Sequence, residues 1–354
     1  MNKQAAGILH DFKARGILQD MSGPDATVTR IDPVDECTPD SLVFVDSDKF
    51  VDAALAAAPA AIVTRPDLAG SFSTLAKTAV LTAANVRLAN ALLRQAYDDR
   101  DFRATEWPRI HSSAVIHDTA QVADNALIGP GAVLGRDVNI GKGTVIMANT
   151  VIEEGASIGA DSILHPNVVV GYNCELGDRV EVQSGCIIGM EGFGFAQDEE
   201  RRSHRIPQRG KVVIEDDVVL GANCNIDRAT YHETRISAGC KLDALCHIAH
   251  NVFLDRDCIL TAHTVIAGST RIGKRMLASG QTGILDHLTI TDDVVLVQRA
   301  GVISDVTEPG VYAGLPLQPV KDYFRNTAVA QQLVELRKRL RGVEKELEAL
   351  QKRA

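Results

Sequence analysis

An aliphatic residue stands at every sixth position of this chain from Ile110 to Ile188, without exception. A period of six fits neither an α-helix nor a flat β-sheet, whose side chains repeat every ~3.6 and ~2 residues. It is the signature of a hexapeptide parallel β-helix, in which each repeat contributes one short strand. Three repeats form one triangular coil of about 18 residues, so the pattern predicts a left-handed β-helix with the aliphatic residues inside.

The same register continues beyond residue 188 with two interruptions. Residues 189–213 break the pattern, which resumes at Ile214, and a ten-residue step separates Ile226 from Ile236. The register then runs to Val302, and only Ala278 departs from the aliphatic rule. We therefore predict a mainly β protein, with a left-handed parallel β-helix of about ten coils over residues 106–305 and an inserted loop at 189–213.

Two other regions flank the predicted β-helix. Residues 1–105 mix strand-like segments at 41–45 and 61–64 with Ala- and Leu-rich stretches near 50–58 and 88–97, which predicts a small α/β domain. Residues 306–354 are expected to form a cap and a C-terminal α-helix. Three prolines and two glycines between Thr307 and Pro319 favour an ordered linker or cap, and the helix should begin near Asp322.

The predicted C-terminal helix carries a coiled-coil seam. Its apolar residues recur at alternating spacings of four and three, the pattern of helices that pack against one another. The helix could pack on its own subunit or between subunits. We favour a homotrimer, because left-handed β-helices of triangular section commonly assemble as trimers. The seam consists of Val329, Leu333, Leu336, Leu340, Val343, Leu347 and Leu350.

The cysteines follow the packing rule of the repeat. Six of the seven stand four residues after an aliphatic position, in the small slot that faces inward, and only Cys37 lies outside the β-helix. A buried cysteine behaves as a small hydrophobe, so we interpret these thiols as core residues rather than disulfide or metal ligands. Reduced thiols in this number suit a cytoplasmic protein. The six are Cys174, Cys186, Cys224, Cys240, Cys246 and Cys258.

Composition excludes several classes of function. The net charge of −9 gives no reason to expect nucleic-acid binding. No apolar run approaches the ~18 residues that a membrane-spanning helix needs, and the first residues lack an apolar signal core.

Position in the repeat separates the histidines that could carry chemistry. His250 and His287 are the third and fourth residues of repeats that begin 36 residues apart, two whole coils, so they should lie on one edge about 10 Å apart. His263 falls on another edge. Each could be an ordinary surface residue. A zinc site built from His247, His250 and His263 is a further alternative, although no metal motif accompanies it.

The inserted loop is a candidate for ligand binding, since the β-helix does not need it. Phe193 and Phe195 could form the wall of an apolar groove, or they could only attach the loop to the β-helix. The same loop carries a basic cluster on an otherwise acidic chain: Arg201, Arg202, Arg205, Arg209 and Lys211.

Several motifs stand out beside the repeat: Gly192-Phe-Gly-Phe-Ala196, Ile206-Pro-Gln208, Ile226-Asp-Arg228, Ile248-Ala-His-Asn251, Asp286-His287, Thr307-Glu-Pro-Gly-Val-Tyr312 and Leu315-Pro-Leu-Gln-Pro319. With these motifs the chain resembles the UDP-3-O-acylglucosamine N-acyltransferases of lipid A biosynthesis, closely over about residues 110–319 and more weakly, but collinearly, over 1–105. Hexapeptide repeats alone are shared by many acyltransferases, whereas this combination of motifs is specific.

The resemblance implies a reaction and roles for residues of the β-helix. Such an enzyme transfers an (R)-3-hydroxyacyl chain from acyl carrier protein to the 2-amine of UDP-3-O-acylglucosamine. His250 would be the general base, Asp243 the carboxylate that partners it, and His287 a second active-site histidine. An amine attacking a thioester must lose a proton, which a neutral imidazole can accept near pH 7. The thioester is already activated, so neither metal nor cofactor is expected.

The resemblance also implies a binding site for the substrate. Phe44 and Phe50 would hold the uracil ring between them, with Ser47 beside them and His247 near the sugar. Phe50 and Ser47 replace a frequent Tyr and Asn of the family, and His247 replaces Gln. Ala244 and Ala229 stand where Asn and Gly are usual. These changes leave open another UDP-amino sugar as acceptor, an acyl-CoA donor, or a non-catalytic solenoid that binds UDP-sugar or protein.

An acidic carrier protein would have to dock on local basic residues, because this chain is acidic as well. Lys274 and Arg275 occupy adjacent corner positions, and the C-terminal helix adds Arg337 and Arg339. We expect these, with the arginines of the loop, to form the docking surface. They could equally be ordinary solvated charges.

Overall fold

The computed structural model describes residues 1–313 and 320–352, which form two compact units, Met1–Asp101 and Phe102–Ala354. The predicted motif Leu315-Pro-Leu-Gln-Pro319 lies outside the described residues. No helix within the described ranges has the length and apolar character needed to cross a lipid bilayer.

The first unit is an α/β sandwich. Its five-stranded sheet has the order β2-β7-β6-β5-β4, with only β2 antiparallel, while β1 pairs with β3. Alternate residues of the central strands are buried on opposite faces, so that Leu42 packs with helices α1 and α3, and Val43 packs with α2. The elements are β1 (Lys3–Gln4), α1 (Ala5–Lys13), β2 (Met21–Ser22), β3 (Thr27–Val28), β4 (Arg30–Ile31), β5 (Ser41–Val45), a 3-10 turn (Asp48–Phe50), α2 (Val51–Ala57), β6 (Ala61–Thr64), a 3-10 turn (Ala69–Phe72), β7 (Ala79–Thr82) and α3 (Val86–Tyr97).

The second unit contains the predicted left-handed parallel β-helix, a prism with three sheet faces. Face 1 has ten strands: Leu127–Ile128, Val145–Ile146, Ile163–Leu164, Glu181–Val182, Val219–Leu220, Lys241–Leu242, Ile259–Leu260, Leu277–Ala278, Val294–Leu296 and Gly310–Tyr312. Face 2 has ten: Val115–Ile116, Val133–Leu134, Val151–Ile152, Val169–Val170, Ile187–Glu191, Asn225–Arg228, His247–Ile248, Val265–Ile266, Gly283–Ile284 and Gly301–Val302. Face 3 has nine: Gln121–Val122, Asn139–Ile140, Ser157–Ile158, Glu175–Leu176, Lys211–Ile214, Glu233–Ile236, Phe253–Leu254, Arg271–Ile272 and Thr289–Ile290.

The aliphatic residues of the repeat form the core of the prism. Within regular coils each strand pairs with the strand 18 residues later, as Ile146 does with Leu164, and both side chains are fully buried. The predicted packing of the six β-helix cysteines is confirmed, because all are buried. Five of these thiols also donate to carbonyl oxygens, for example Cys186 Sγ to Gly221 O at 2.9 Å. The small inward slot therefore supplies both volume and a hydrogen-bond donor.

Both interruptions of the repeat lie at the same edge of the prism, between faces 2 and 3. Residues 189–213 leave this edge and form an antiparallel hairpin, Phe195–Gln197 with Ser203–Arg205. Residues 229–232 form a shorter excursion one coil later. Since each excursion starts and ends at the edge, the inward register is preserved, and Ile188 still pairs with Ile226.

Ion pairs lie along a second edge of the prism, between faces 3 and 1. Arg179 Nε lies 2.7 Å from Asp217 Oδ1, and Arg275 Nε lies 2.6 Å from Asp293 Oδ1. In each pair the guanidinium lowers the pKa of the carboxyl group. These are exposed pairs, so each contributes little to stability by itself.

The C-terminal region differs in one respect from its prediction. Residues Gly310–Tyr312, expected in a linker or cap, instead pair with Val294–Leu296 as the last strand of face 1. The predicted helix is present as α4 (Val320–Gln351), and every residue of its seam is 42–65% exposed, so the described part of the chain does not cover it.

We predict that glycine is required where neighbouring coils approach most closely. A methyl group at Gly159 would lie 2.4 Å from the Gly177 backbone, which cannot move aside, whereas Gly301 has open space around it. Gly159→Ala should therefore lower the free energy of unfolding by about 1–3 kcal/mol, the usual cost of overpacking. Gly301→Ala is the control and should change it by less than about 0.5 kcal/mol. Urea unfolding at fixed protein concentration measures both, and equal midpoints would contradict the close approach.

Candidate active site

The candidate site lies on the edge between faces 2 and 3, where both excursions leave the prism. His250 follows the strand His247–Ile248 as the third residue of its repeat. The residues 18 and 36 positions later, Gly268 and Asp286, occupy the same corner in the next two coils. His287 follows Asp286, so the prediction that His250 and His287 share one edge is confirmed.

Two glycines enclose the imidazole of His250. A methyl group at Gly268 would lie 2.6 Å from the Cε1 atom of His250 and 2.7 Å from its Nε2 atom. A methyl group at Gly192, in the inserted loop, would lie 2.6 Å from the Cβ atom of His250. The imidazole therefore packs on the backbone of Gly268, while the beginning of the loop packs against its stem.

Asn251 determines which nitrogen of His250 carries the proton. The Asn251 side-chain Nδ2 donates to the Tyr231 carbonyl at 3.0 Å, and Oδ1 accepts from the Thr230 amide at 3.0 Å. Oδ1 also lies 3.2 Å from His250 Nδ1, and it can only accept. His250 Nδ1 must therefore donate, which leaves Nε2 of the neutral ring with a free lone pair.

The second histidine is paired with a carboxylate. His287 Nδ1 lies 2.8 Å from Asp286 Oδ2, and this hydrogen bond lowers the pKa of Asp286. The His287 amide donates to Gly268 O at 3.0 Å, and the Ser269 amide donates to His250 O at 2.9 Å. Backbone hydrogen bonds thus connect the corners that hold the two histidines, about 10 Å apart along the edge.

Asp243, which the resemblance implies as the partner of the base, does not lie beside His250 within this chain. Asp243 follows a strand of face 1 and lies at the edge between faces 1 and 2, where its carboxylate accepts from the amides of Ala244 at 2.7 Å and Ala262 at 3.2 Å. Asp227 is a carboxylate beside His247 and near His250. It lies 3.6 Å from His247 Nε2, and burial raises its pKa while the positive charge of His247 and His250 lowers it.

The two phenylalanines of the loop are directed outward. Phe193 is 82% exposed and Phe195 is 48% exposed, with ring centroids 5.0 Å apart. They therefore do not serve to attach the loop to the β-helix. Thr230 Oγ1 donates to Gln208 Oε1 at 2.8 Å, and this hydrogen bond connects the inserted loop with the excursion at 229–232. Other exposed apolar side chains of these two segments are Met190, Ile206 and Tyr231.

The uracil-site candidates belong to the first unit and lie after strand β5. Phe44 is half-buried in β5, Ser47 precedes the 3-10 turn, and Phe50 ends that turn with 41% of its surface exposed. Lys49 Nζ lies 5.5 Å from the centroid of the Phe50 ring. The carboxyl end of a parallel strand is where open α/β sheets bind their ligands, so this placement suits a nucleotide.

The basic residues predicted for carrier docking differ in their surroundings. Lys274 and Arg275 lie on the edge between faces 3 and 1, away from His250 of the same chain, and Arg275 is paired with Asp293. Lys274 makes no ion pair with any described residue. Arg337 and Arg339 are exposed on α4. In the loop, Arg202 pairs with Asp198 and Glu200, and Arg205 pairs with Glu191.

One chain does not bring together the three histidines of the zinc alternative. His263 lies on the edge between faces 1 and 2, whereas His250 lies on the edge between faces 2 and 3. Within the described ranges, no three His, Cys, Asp or Glu side chains converge on a point that could hold a metal ion.

Comparison with known proteins identifies the family. The chain is 51% identical to the UDP-3-O-acylglucosamine N-acyltransferase of Methylococcus capsulatus, over 98% of both chains. It is 32% identical to the protein of that name from Bordetella pertussis, over 96% of both chains. The chain belongs to the UDP-3-O-acylglucosamine N-acyltransferase family. It is therefore an acyltransferase, as the motifs predicted.

Two further matches concern the β-helix. A family model described as the GMPPB C-terminal domain matches residues 110–192, which are regular coils and the first residues of the loop, and the match ends before His250. The solved structure of an Arabidopsis UDP-N-acetylglucosamine acyltransferase aligns with a TM-score of 0.51 at 20% identity, over 61% of this chain and 76% of that one. At this identity the likeness concerns the fold alone.

Several residues of this acyltransferase site were not singled out from the sequence. Asn251 stood within a motif, but its role as hydrogen-bond acceptor for His250 Nδ1 depends on an excursion that a repeat pattern does not describe. Asp227 also stood only within a motif, Ile226-Asp-Arg228, where it follows an aliphatic position. Gly268 could have been found, because it stands 18 residues after His250 and therefore directly above it in the stack.

Proposed function

We propose that this protein transfers an (R)-3-hydroxyacyl chain from acyl carrier protein to the 2-amine of UDP-3-O-acylglucosamine, with His250 as general base. The observation that carries the proposal is the hydrogen bond between His250 Nδ1 and Asn251 Oδ1, which leaves Nε2 free to accept a proton. Asn251, rather than Asp243, orients the base in this proposal.

The chemistry requires only groups that the site contains. The amine nitrogen attacks the thioester carbonyl, His250 Nε2 accepts the proton, and the carbon–sulfur bond breaks as the amide forms. The imidazolium then returns the proton to the departing thiolate. General-base assistance of this kind contributes roughly 10²–10⁴-fold to rate. His287, held by Asp286, is suited to contact polar groups of the sugar or the charge that develops on the carbonyl oxygen.

Other residues have binding roles in the proposal. Phe44 and Phe50 stack on the uracil with Ser47 beside them, and His247, near Asp227, contacts the sugar. Phe193 and Phe195 offer an apolar surface to an acyl chain. An acyl-CoA donor or another UDP-amino sugar remains the alternative, and assays with matched donors and acceptors distinguish the two.

Loss of the base should stop turnover without unfolding the protein. We expect His250→Ala to lower kcat by about 100-fold or more. We expect Gly268→Ala to lower kcat to a smaller extent, because its methyl group would displace the imidazole. One control is His263→Ala, which removes a histidine on another edge. The other is Gly280→Ala: Gly280 has the same repeat position as Gly268 but lies on the edge of His263, where a methyl group would make only ordinary contacts. Initial rates with acyl carrier protein thioester measure all four, and near-wild-type turnover of His250→Ala would reject this base.

We further propose that the protein is a homotrimer. Face 3 presents mainly polar side chains outward, whereas faces 1 and 2 present mainly aliphatic ones, which favours burial of these two faces between copies. Face 1 presents Leu127, Val145, Ile163, Val219, Ile259, Leu277 and Val295; face 2 presents Val115, Val133, Val151, Val169, Ile187 and Val265; face 3 presents Gln121, Asn139, Ser157, Glu175, Arg235, Arg271 and Thr289.

A strained leucine points to the edge that would lie on the threefold axis. Leu245 is 46% exposed at the edge between faces 1 and 2 and adopts a left-handed conformation with φ of 63°. This conformation costs a leucine about 1–2 kcal/mol, and the same corner of the previous coil carries Asn223, which tolerates it better. Contact among three copies of Leu245 would offset that cost. Face 1 of one copy would then pack on face 2 of the next.

A charge at this edge should weaken the assembly. We expect Leu245→Asp, which places three carboxylates near the axis, to lower the mean mass at low micromolar concentration. Ser157→Asp adds the same charge to the polar face 3 and should leave the mass unchanged. Sedimentation velocity measures both, and a wild-type monomer, or equal behaviour of the two variants, would contradict this arrangement.

The same arrangement gives Lys274 a role in donor docking. With face 1 packed on face 2, the edge that carries Lys274 in one subunit lies beside the edge that carries His250 in the next. Lys274 stands about one coil above His250, and it is not neutralised by a carboxylate as Arg275 is. We propose that Lys274, assisted by Arg337 and Arg339 of α4, attracts the acidic carrier protein.

Reversal of the Lys274 charge should affect the donor only. We expect Lys274→Glu to raise the KM for acyl carrier protein thioester roughly two- to tenfold and to leave the KM for the UDP-sugar unchanged. The effect should shrink above about 0.1 M salt, where exposed charges are screened beyond ~10 Å. Lys142→Glu is the matched control, at the same repeat position of the same edge but six coils away. Equal donor kinetics for both variants at low salt would place docking elsewhere.

A further inference from the structure

Arg228 is the largest fully buried side chain among the residues that the structure describes, with 1% of its surface exposed. It is the third residue of its repeat at the edge between faces 2 and 3, the same corner that carries His250 one coil later. His250 is directed outward there, whereas Arg228 is directed into the protein. A buried cation is costly, so its partners indicate what it does.

Three backbone carbonyls accept hydrogen bonds from the guanidinium. Nε donates to Gly189 O at 2.7 Å, Nη1 to Gly210 O at 3.0 Å, and Nη2 to Tyr172 O at 3.1 Å. The guanidinium also stacks on the Tyr172 ring, 3.4 Å from its centroid. Arg228 makes no ion pair with a carboxylate of the described chain, so carbonyl dipoles and the aromatic ring stabilise the charge.

The first two carbonyls stand at the two ends of the inserted loop. Gly189 begins the interruption of the repeat, and Gly210 precedes the strand Lys211–Ile214 that restores it. Glycines also make room for the guanidinium, since a methyl group at Gly171 would lie 2.9 Å from Nη2. One planar side chain therefore joins both ends of the loop to the coil beneath them, which the single ammonium of a lysine cannot do.

We propose that Arg228 is a positioning residue that holds the loop against the general base. The inference rests on the proposed role of His250. A methyl group at Gly192, three residues after Gly189, would lie 2.6 Å from His250 Cβ and 3.2 Å from the Arg228 carbonyl. The contact between loop and base thus lies directly beside the anchored end. Release of that end displaces Gly192 from His250 and moves the Phe193 and Phe195 wall with it.

The test compares Arg228→Lys with Arg179→Lys in the full-length protein. Arg179 is ion-paired on the far edge and has no contact with the loop. We expect Arg228→Lys to lower kcat by about 10- to 100-fold, since small displacements of a catalytic group are that costly. It should also raise the rate of tryptic cleavage at the loop arginines at least about fivefold. Peptide mapping assigns the cleavage to Arg201, Arg202, Arg205 and Arg209. Arg179→Lys should show neither effect.

A second variant separates positioning from general destabilisation. In Arg228→Ala, millimolar guanidinium chloride should restore part of kcat and protect the loop from trypsin, while equal sodium chloride or urea should not. Wild-type kcat and cleavage in Arg228→Lys would overturn the inference. So would a loss of kcat with unchanged loop cleavage, or cleavage spread evenly over the β-helix. Failure of the His250 assignment is recognised separately, by an active His250→Ala variant, and leaves the cleavage comparison valid.

Discussion

Within its regular coils, each residue of the β-helix lies on the residue 18 positions earlier, and this stacking governs the rest of the β-helix. It fixes which side chains face inward, because a shift of one residue in any coil would move the aliphatic column out of the core. It also restricts insertions to the edges, since only there can the chain leave a coil and return without changing the pairing of the strands. The pairing of Ile188 with Ile226 across the long loop illustrates the rule.

The same stacking of coils positions the candidate base. His250 lies at a corner, and the residue above it must be small for the imidazole to lie flat, a condition that Gly268 meets. Asn251 adds a second connection, because the amide that accepts from His250 also holds the excursion at Thr230 and Tyr231. The orientation of the base and the closure of the excursion therefore depend on one side chain. A variant at Asn251 would disturb both at once, which makes it a poor probe of either alone.

The repeat allowed the fold and part of the site to be predicted from the sequence. The period gave the inward column, the buried cysteines and the common edge of His250 and His287, because each follows from counting in sixes. Counting also places Asp243 and His250 on different edges of one chain, since the two belong to successive repeats. Arg228 was beyond this reasoning. Its repeat position predicts an outward side chain, whereas its hydrogen-bond partners stand at the two ends of the inserted loop, which a repeat pattern does not describe.

Lys274 and Arg275 are adjacent in one repeat, but their side chains differ in whether they pair with a carboxylate of the next coil. Arg275 adopts a left-handed conformation, with φ of 57°, and its side chain runs along the edge to Asp293, 18 residues later. Its charge is therefore used within the chain, as that of Arg179 is with Asp217. Lys274 has Asp292 at the same spacing, but that carboxylate accepts from the Lys274 backbone amide at 2.9 Å, and the Lys274 ammonium makes no ion pair with any described residue. An acidic protein can attract an acidic partner only through basic side chains that are not already paired with carboxylates of the same chain. The sequence places both residues at one corner with an aspartate 18 residues after each, and only the direction of the side chains decides which of them is available.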